Sequence, residues 1–274
     1  MKRNYLLIIT ISLCTVSWGE AIVIDNVAIA ESNPTNIAAY ADFNWDFVHS
    51  YKGSSAVAVD SYWVLTAAHV ADDGGSGSLM VNGVTYNQLE RVYHADADLA
   101  LVRFDQALPG YHELFTGSVL STGANPELLQ VGWGNTGTVS LTSFSNGPGG
   151  SGTKRWGSNR ADIRSTLLVD VGGSTGVVSN DIFLAGFTSG DTAYEAGAGT
   201  HDSGGGLFIE EGGEWKLAGT MLYLNGNDPS YTGVIAAETA MYEEWVQSVI
   251  PEPSSSLFMG LMFLLYGWKR RFFG

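Results

Sequence analysis

A histidine, an aspartate and a serine lie in three short segments whose composition suits catalysis. His69 follows the apolar segment 64–68, Asp98 precedes another apolar segment, and Ser203 stands just before three glycines. A serine hydroxyl is a poor nucleophile at neutral pH, so an imidazole must take its proton during attack and return it to the leaving group. A carboxylate beside the imidazole fixes its tautomer and stabilises the imidazolium. Together the three residues could hydrolyse a peptide or ester bond through an acyl-enzyme.

Taken singly, each segment also fits an ordinary structural role. A histidine after two alanines is often a packed or surface residue, and the sequence Asp-Ser-Gly-Gly can form a simple turn. Asp96, two residues before Asp98, is expected on the same strand face and is a rival partner for His69. The prediction therefore rests on the order of the segments and on what lies between them.

Further motifs accompany these residues in the order His, Asp, Ser. The motifs are TAAH at 66–69, DLALV at 98–102, GWGNT at 132–136, NDIFLAGF at 180–187, HDSGGG at 201–206 and KLAG at 216–219. They resemble those of the trypsin/chymotrypsin (S1) family of serine proteases over roughly residues 47–250. The resemblance implies a secreted serine endopeptidase with His69, Asp98 and Ser203 as its triad and a protein or peptide as its substrate.

The same resemblance implies an oxyanion hole formed by the backbone N–H groups of His201 and Ser203. The family has glycine where this chain has His201, so a Cβ enters a backbone that often needs the conformational freedom of glycine. One alternative is therefore a catalytically impaired binding module on the same fold.

Specificity and activation are also inferred from the family. The position six residues before the serine, which sets side-chain preference, is Gly197, and Leu222 and Leu224 are expected in the same specificity pocket. Gly197 argues against strict Lys or Arg specificity, although an alignment gap could bring Asp191 or Glu195 into that role. If signal peptidase cut after Ala21, the new ammonium of Ile22 could pair with Asp202.

The scaffold that must position these residues is predicted to be all-β. Glycine is abundant, at 35 of 274 residues, and short apolar runs are broken by Gly, Asn, Ser and Asp clusters. Strands are expected at 56–59, 62–65, 79–81, 99–102, 166–171, 182–187, 205–209 and 217–224. Residues 145–152, rich in Gly, Ser and Pro, are predicted to separate the two halves.

With the family resemblance, this pattern predicts two packed six-stranded antiparallel Greek-key β-barrels, with barrel 1 at about 46–140 and barrel 2 at about 141–250. The segment 238–249 has helical character, because Met241, Trp245 and Val249 recur at i, i+4 and i+8. A short C-terminal helix is therefore expected.

The two ends of the chain are predicted to be targeting segments. Residues 1–21 combine Lys2, Arg3 and an apolar run as a signal peptide does, although a membrane anchor is the alternative. Residues 22–45 could be an N-terminal arm, a propeptide or a first strand.

Residues 251–274 contain Pro-Glu-Pro, the apolar stretch 257–268 and three basic residues. This order resembles the PEP-CTERM sorting signal of Gram-negative bacteria, whose transmembrane segment anchors a protein transiently in the inner membrane until an exosortase-type sorting enzyme cuts it. An ordinary C-terminal tail anchor is the alternative. Either interpretation places the domain outside the cytoplasm.

Composition excludes several other functions. The formal net charge is −15, so nucleic acid is not an expected partner. The single cysteine, Cys14, lies in the predicted signal peptide, so no disulfide is expected in the mature protein. No cofactor or metal is expected, because the acidic residues at 72–73 lack the further ligands of a calcium loop. The C-terminal segment 251–274 would also suit a structural or adhesive component of an extracellular polysaccharide matrix. The sequence does not indicate an oligomeric state.

Overall fold

The computed structural model describes residues 7–8, 22–24, 26–74, 76–120, 125–147, 152–172 and 175–250. The first strands and the helices, including the one-turn 3-10 helices η1 to η4, are β1 Leu7–Ile8, β2 Val23–Ile24, α1 Val27–Glu31, η1 Pro34–Asn36, η2 Ala38–Tyr40, η3 Trp45–Phe47, α2 Ala68–Asp72, η4 Thr239–Met241 and α3 Glu243–Val249. β1 pairs in parallel with residues 167–168 of the second half.

The strands of the first half are β3 Val48–Tyr51, β4 Ser54–Asp60, β5 Trp63–Thr66, β6 Leu79–Val81, β7 Val84–Tyr86, β8 Gln88–Tyr93 and β9 Ala100–Phe104. Five of them form an antiparallel sheet in the order β3-β4-β5-β9-β8, with the hairpin β6–β7 beside β3. The interior of this half holds Tyr51, Leu65 and Phe104, each at most 1% exposed.

The strands of the second half are β10 Glu127–Gly132, β11 Gly137–Val139, β12 Phe144–Asn146, β13 Arg155–Asp170, β14 Val177–Gly186, β15 Ala196–Gly197, β16 Gly206–Glu211, β17 Glu214–Asn227 and β18 Ser230–Glu238. Six of them close into an antiparallel barrel in the order β10-β13-β14-β18-β17-β16, with β16 pairing back to β10. Closure leaves the barrel without free sheet edges along these pairings. The all-β, double-barrel prediction is confirmed.

The boundary between the halves differs from the expected one. β10 lies before residue 140, yet it pairs with β13 and β16 of the second barrel. The chain therefore passes from the first half to the second barrel between β9 and β10. The expected separator at 145–152 instead begins within β12, which pairs with β11 and β18, and its residues 148–151 lie outside the described ranges. Glycine and serine content marked a loop within the second half, not the crossing.

The arm at 22–45 is packed against the folded domain. Val23 and Ile24 pair with Gly197 and Ala196 of β15, and Ile22 is fully buried. Further along the arm, Tyr40 is 3% exposed within the same core as the first sheet. The structure therefore gives this segment one short strand and buried anchors at both ends.

The predicted C-terminal helix is present as α3, and two of the three residues of its expected apolar face, Trp245 and Val249, pack on the core. Met241 does not: it is 50% exposed, because it belongs to η4 and precedes the first residue of α3. The buried side chains are Tyr242 and Val246, which are four residues apart and face the core. None of the described helices is long and apolar enough to cross a membrane. The predicted transmembrane stretch 257–268 lies outside the described residues.

Candidate active site

His69 and Asp98 are brought together by the pairing of two strands. β5 ends at Thr66, which pairs with Ala100 at the start of β9, so the residues just beyond these positions share one edge of the sheet. His69 lies in α2, and its Nδ1 is 2.6 Å from Oδ2 of Asp98. The backbone N–H of His69 donates to Oδ1 of the same carboxylate at 2.9 Å. Both oxygens of Asp98 are thereby fixed by one residue.

The surroundings of this pair favour a basic imidazole. Burial lowers the pKa of His69, but the hydrogen bond and the charge of Asp98 outweigh it, with a smaller contribution from Asp73, and the net pKa is raised. Asp98 is fully buried, and its N–H donates to Oδ1 of Asn180 at 2.8 Å. The rival Asp96 is exposed, and its N–H faces Nδ1 of His94 instead. The carboxylate that contacts His69 is therefore Asp98.

Ser203 lies in the turn before β16 and is tied to the first half of the molecule. Its carbonyl accepts a hydrogen bond from the N–H of Ser55 at 3.1 Å. Ser55 in turn accepts from Oγ1 of Thr66, three residues before His69, at 2.7 Å. Gly204 has a φ of +83°, and a Cβ there would lie 2.1 Å from the Ser55 carbonyl oxygen. This close approach requires glycine and brings Ser203 to the strand end that carries His69.

The Ser203 hydroxyl donates to the main-chain carbonyl of Leu222 at 3.1 Å. A hydroxyl has one proton, so Ser203 must give up this hydrogen bond before it can donate to His69. Such hydrogen bonds often form only when substrate is bound.

The backbone at His201 has the conformation that the glycine of the family motif suggests. Its φ is +73°, in the left-handed region, which costs about 1 kcal/mol for a residue with a Cβ. The carbonyl of Thr200 accepts from the N–H of Asn135 at 2.7 Å. In a trans peptide the next N–H, that of His201, points the opposite way. Within the described ranges the N–H groups of His201 and Ser203 make no hydrogen bond, so both are available to an oxyanion.

The His201 side chain is half-buried and lies near His69 and Asp73. Burial lowers the pKa of His201, the charge of Asp73 opposes this, and the proximity of His69 lowers it further. The imidazole is therefore part of the surroundings of His69 rather than an isolated surface group.

Asp202 is 1% exposed and is surrounded by backbone donors. It accepts hydrogen bonds from the N–H groups of Ile22 at 2.9 Å, Gly134 at 2.8 Å and Gly199 at 2.6 Å. Burial raises the pKa of Asp202 to about 6, although these N–H donors oppose the rise. A Cβ at Gly132 would lie 2.1 Å from Oδ1 of Asp202, which explains one glycine of the Gly-Trp-Gly motif.

Apolar side chains fill the space around the expected specificity residues. A Cβ on Gly197 would lie 2.3 Å from the ring of Phe144. Leu222 is 2% exposed, and Leu224 packs on the cluster that contains Phe144 and Phe187.

The two acidic residues that could have changed the specificity prediction are engaged elsewhere. Asp191 lies 3.5 Å from Nε of Arg160. Glu195 accepts from the N–H groups of Thr188 and Thr192, and burial raises its pKa to about 7.

Sequence reasoning missed Tyr223 and Asn180. The Tyr223 hydroxyl donates to Oδ2 of Asp98 at 2.6 Å. Tyr223 lies in an apolar strand run and Asn180 at the start of another, so local sequence carried no signal that either would reach Asp98. In the part of the chain that is described, no group of three or more His, Cys, Asp or Glu side chains could hold a metal ion.

The family model described as Trypsin matches residues 35–246, which is most of the chain and includes every candidate active-site residue discussed except Ile22. No curated protein matches the sequence. The strand order, the paired β halves and the family match agree, and the chain belongs to the trypsin family of serine proteases.

Proposed function

We propose that this protein is a secreted serine endopeptidase with Ser203 as nucleophile, His69 as general base and Asp98 as its carboxylate partner. The observation that carries the proposal is the pair of hydrogen bonds from His69 to the buried Asp98, at 2.6 and 2.9 Å. Ser203 is held at the same strand end through Ser55.

In the proposed reaction the Ser203 hydroxyl turns from Leu222 toward Nε2 of His69. Its oxygen attacks the scissile carbonyl carbon while His69 takes the proton. Asp98 stabilises the imidazolium through Nδ1–H. His69 then protonates the leaving amine, and the C–N bond breaks to leave an acyl-enzyme. His69 then takes a proton from water, whose oxygen attacks the acyl carbon. The C–O bond to Ser203 breaks, Ser203 takes the proton back from His69, and the acid product leaves.

The oxyanion of each tetrahedral intermediate would be bound by the N–H groups of His201 and Ser203. The hydrogen bond from the N–H of Asn135 to the carbonyl of Thr200 supports this role, because it holds that carbonyl away from the site. Removing one such donor typically costs about 100- to 1,000-fold in rate.

The proposed specificity is for a small or short apolar side chain on the acyl side of the scissile bond. The Phe144 ring lies against Gly197, and Asp191 and Glu195 are engaged with other groups. A peptide library should therefore show cleavage after Ala or Gly in preference to Lys or Arg, and efficient cleavage after Arg would contradict this preference.

Activation is proposed to follow from the cut that removes the signal peptide. Cleavage after Ala21 would convert the N–H of Ile22, already 2.9 Å from Asp202, into an ammonium. The φ of Ile22 is +40°, which is unfavourable for a β-branched residue and ceases to be a constraint once the preceding peptide bond is gone. On this proposal no separate propeptide is needed.

Labelling with a fluorophosphonate probe tests the proposed nucleophile. The wild-type protein and the Ser248→Ala control, altered at an exposed serine in α3, should be labelled, whereas Ser203→Ala should not. Peptidase activity should fall about 10^6-fold in Ser203→Ala. Labelling of that variant would contradict the assignment, and an unlabelled wild type that still binds peptide would favour the impaired binding module.

The ends of the chain are proposed to direct export and surface release. Residues 1–21 would be the signal peptide, and residues 251–274 a PEP-CTERM signal that holds the protein in the inner membrane of a Gram-negative bacterium until an exosortase-type enzyme cuts it. Mass spectrometry of the exported form should then find an N-terminus at Ile22 and a C-terminus near Pro251. An exported form that retains residues 257–268 would favour a tail anchor.

A further inference from the structure

Two neighbouring residues of β17 contact all three residues of the proposed triad. The Leu222 carbonyl accepts from the Ser203 hydroxyl at 3.1 Å. The Tyr223 hydroxyl donates to Oδ2 of Asp98 at 2.6 Å, and the Tyr223 ring stacks on His69 with centroids 6.1 Å apart and planes 22° apart.

A β-bulge accounts for these contacts. The pairing of β17 with β18 shifts between Met221, which faces Ala236, and Tyr223, which faces Ile235. Two residues of β17 therefore lie opposite one residue of β18 at this point. Bulges re-aim side chains and occur often beside active sites. Here the shift directs the carbonyl of residue 222 and the side chain of residue 223 toward the same cleft.

We propose that Tyr223 is a positioning residue that sets the orientation and the basicity of His69 through Asp98 and through its own ring. This inference rests on the proposed function, because it describes how the base of that reaction is tuned.

The hydrogen bonds on Asp98 explain the effect on basicity. Oδ2 accepts from both His69 and Tyr223, and Oδ1 accepts from the backbone of His69. The Tyr223 donor withdraws negative charge from the oxygen that faces the imidazole, so it weakens the pull of Asp98 on the His69 proton. Tyr223 thereby keeps His69 from becoming too basic to be neutral at working pH.

The Tyr223 hydroxyl remains protonated, and therefore a donor, at working pH. Burial, the charge of Asp98 and the hydrogen bond to it raise the pKa of Tyr223 far above its ordinary value, with only partial opposition from Asn180. An ionised tyrosine beside a buried carboxylate would place two negative charges together, which is strongly unfavourable.

The ring of Tyr223 supplies the second part of the role. An imidazole held at Nδ1 alone can still rock about that hydrogen bond, and a flat ring stacked on its face limits the motion. The titratable groups that face His69 are Asp98, Asp73, His201 and Tyr223. Tyr223 is uncharged at working pH, so its removal changes the hydrogen bonding of Asp98 without removing a charge.

The substitution Tyr223→Phe separates the hydroxyl from the ring. It should raise the pKa of His69 by about 0.5 to 1, because one hydrogen bond to a charged group is lost. The acid limb of the kcat/KM profile should move to higher pH by the same amount. At pH 7 kcat/KM should fall by up to about 3- to 10-fold, with little change in KM. Site-specific 3-fluorotyrosine at position 223, a stronger donor, should lower the pKa of His69 and guards against a folding defect in the phenylalanine variant.

The matched control is Tyr242→Phe. Tyr242 is also buried, and its hydroxyl accepts from the N–H of Asp181 at 2.7 Å, but it does not touch Asp98. This variant should lose stability without moving the pH profile.

The His69 pKa should be measured by NMR in a Ser203→Ala background as well as from kinetics. The NMR titration decides the role of Tyr223 even if the protein proves not to be a peptidase, so the two proposals fail separately. A His69 pKa within about 0.2 of the wild-type value in both Tyr223 variants, with kcat/KM within twofold, would overturn the inference.

Discussion

Asp98 and Asp202 are two buried carboxylates with opposite kinds of surroundings. Two of the three hydrogen bonds to Asp98 come from side chains, those of His69 and Tyr223. The three hydrogen bonds to Asp202 that the structure shows all come from backbone N–H groups, one of them on Ile22. A side-chain donor such as an imidazole can change its own charge and respond to the carboxylate, whereas backbone N–H donors only hold a carboxylate in place.

On the proposed function, this difference separates a carboxylate that takes part in the chemistry from one that holds the fold. Asp98 lies at the end of paired strands in the first half and hydrogen-bonds the His69 imidazole. Asp202 precedes Ser203, the proposed nucleophile, and ties the turn that contains it to Gly134 and to the N-terminal arm. Removing Asp98 should therefore damage the reaction, and changing the partner of Asp202 should damage the fold of that turn.

The largest effect is expected from Asp98→Asn. The amide cannot stabilise an imidazolium and favours the wrong His69 tautomer, so kcat should fall about 1,000- to 10,000-fold. Thermal unfolding should change far less than activity, since the amide keeps the size of the carboxylate. Asp96→Asn is the control, because Asp96 is exposed and contacts His94, and it should retain activity. Equal losses in both variants would remove the distinction between the two aspartates.

The next effect concerns the N-terminus beside Asp202. In the uncut chain the pKa of Asp202 is about 6, above its unfolded value of about 3.9, so the folded state binds more protons between these values. Stability should then fall as pH rises from about 4 to 6, by an amount on the order of 3 kcal/mol. An ammonium at Ile22 favours the ionised form of Asp202 and should therefore abolish or reverse this fall in stability.

The comparison requires two forms of residues 22–250, one with a free amine at Ile22 and one with that amine acetylated. Urea unfolding at pH 4, 5, 6 and 7 should give diverging stabilities, with the free amine more stable at pH 7. Parallel curves for the two forms would show that no ion pair forms at Asp202.

Much of the scaffold could be predicted from sequence because buried strands have a strong local signal. All eight expected strands overlap observed ones. The crossing between the halves could not be predicted, because glycine content marks loops without saying which sheet a strand joins. β10, at residues 127–132, belongs to the second barrel because it pairs with β13 and β16. Its pairing with β16 joins residues that are far apart in sequence.

The same limit applies at the site. His69, Asp98 and Ser203 stand in motifs whose order is informative, so they could be proposed from sequence. Tyr223 contacts Asp98 across 125 residues and only because a bulge turns its side chain inward. A period-of-two pattern assigns strand faces but does not show where that period slips.

The smallest effect is expected at His201, where backbone strain and the imidazole can be separated. His201→Gly removes both the Cβ at φ +73° and the ring near His69, whereas His201→Ala removes only the ring. The glycine variant should be more stable than the alanine variant by about 1 kcal/mol, as measured by urea unfolding. Both should leave the pKa of His69 close to its wild-type value, because the pKa of His201 is lowered and its ring is still neutral when His69 takes up a proton. Activity should stay within about threefold of wild type in both variants. The reason is that the N–H of His201 is oriented by the hydrogen bond from Asn135 to the Thr200 carbonyl rather than by the His201 side chain.

A gain in activity of more than tenfold in the glycine variant alone would instead show that the Cβ distorts the oxyanion hole, and would make the wild-type protein an impaired enzyme.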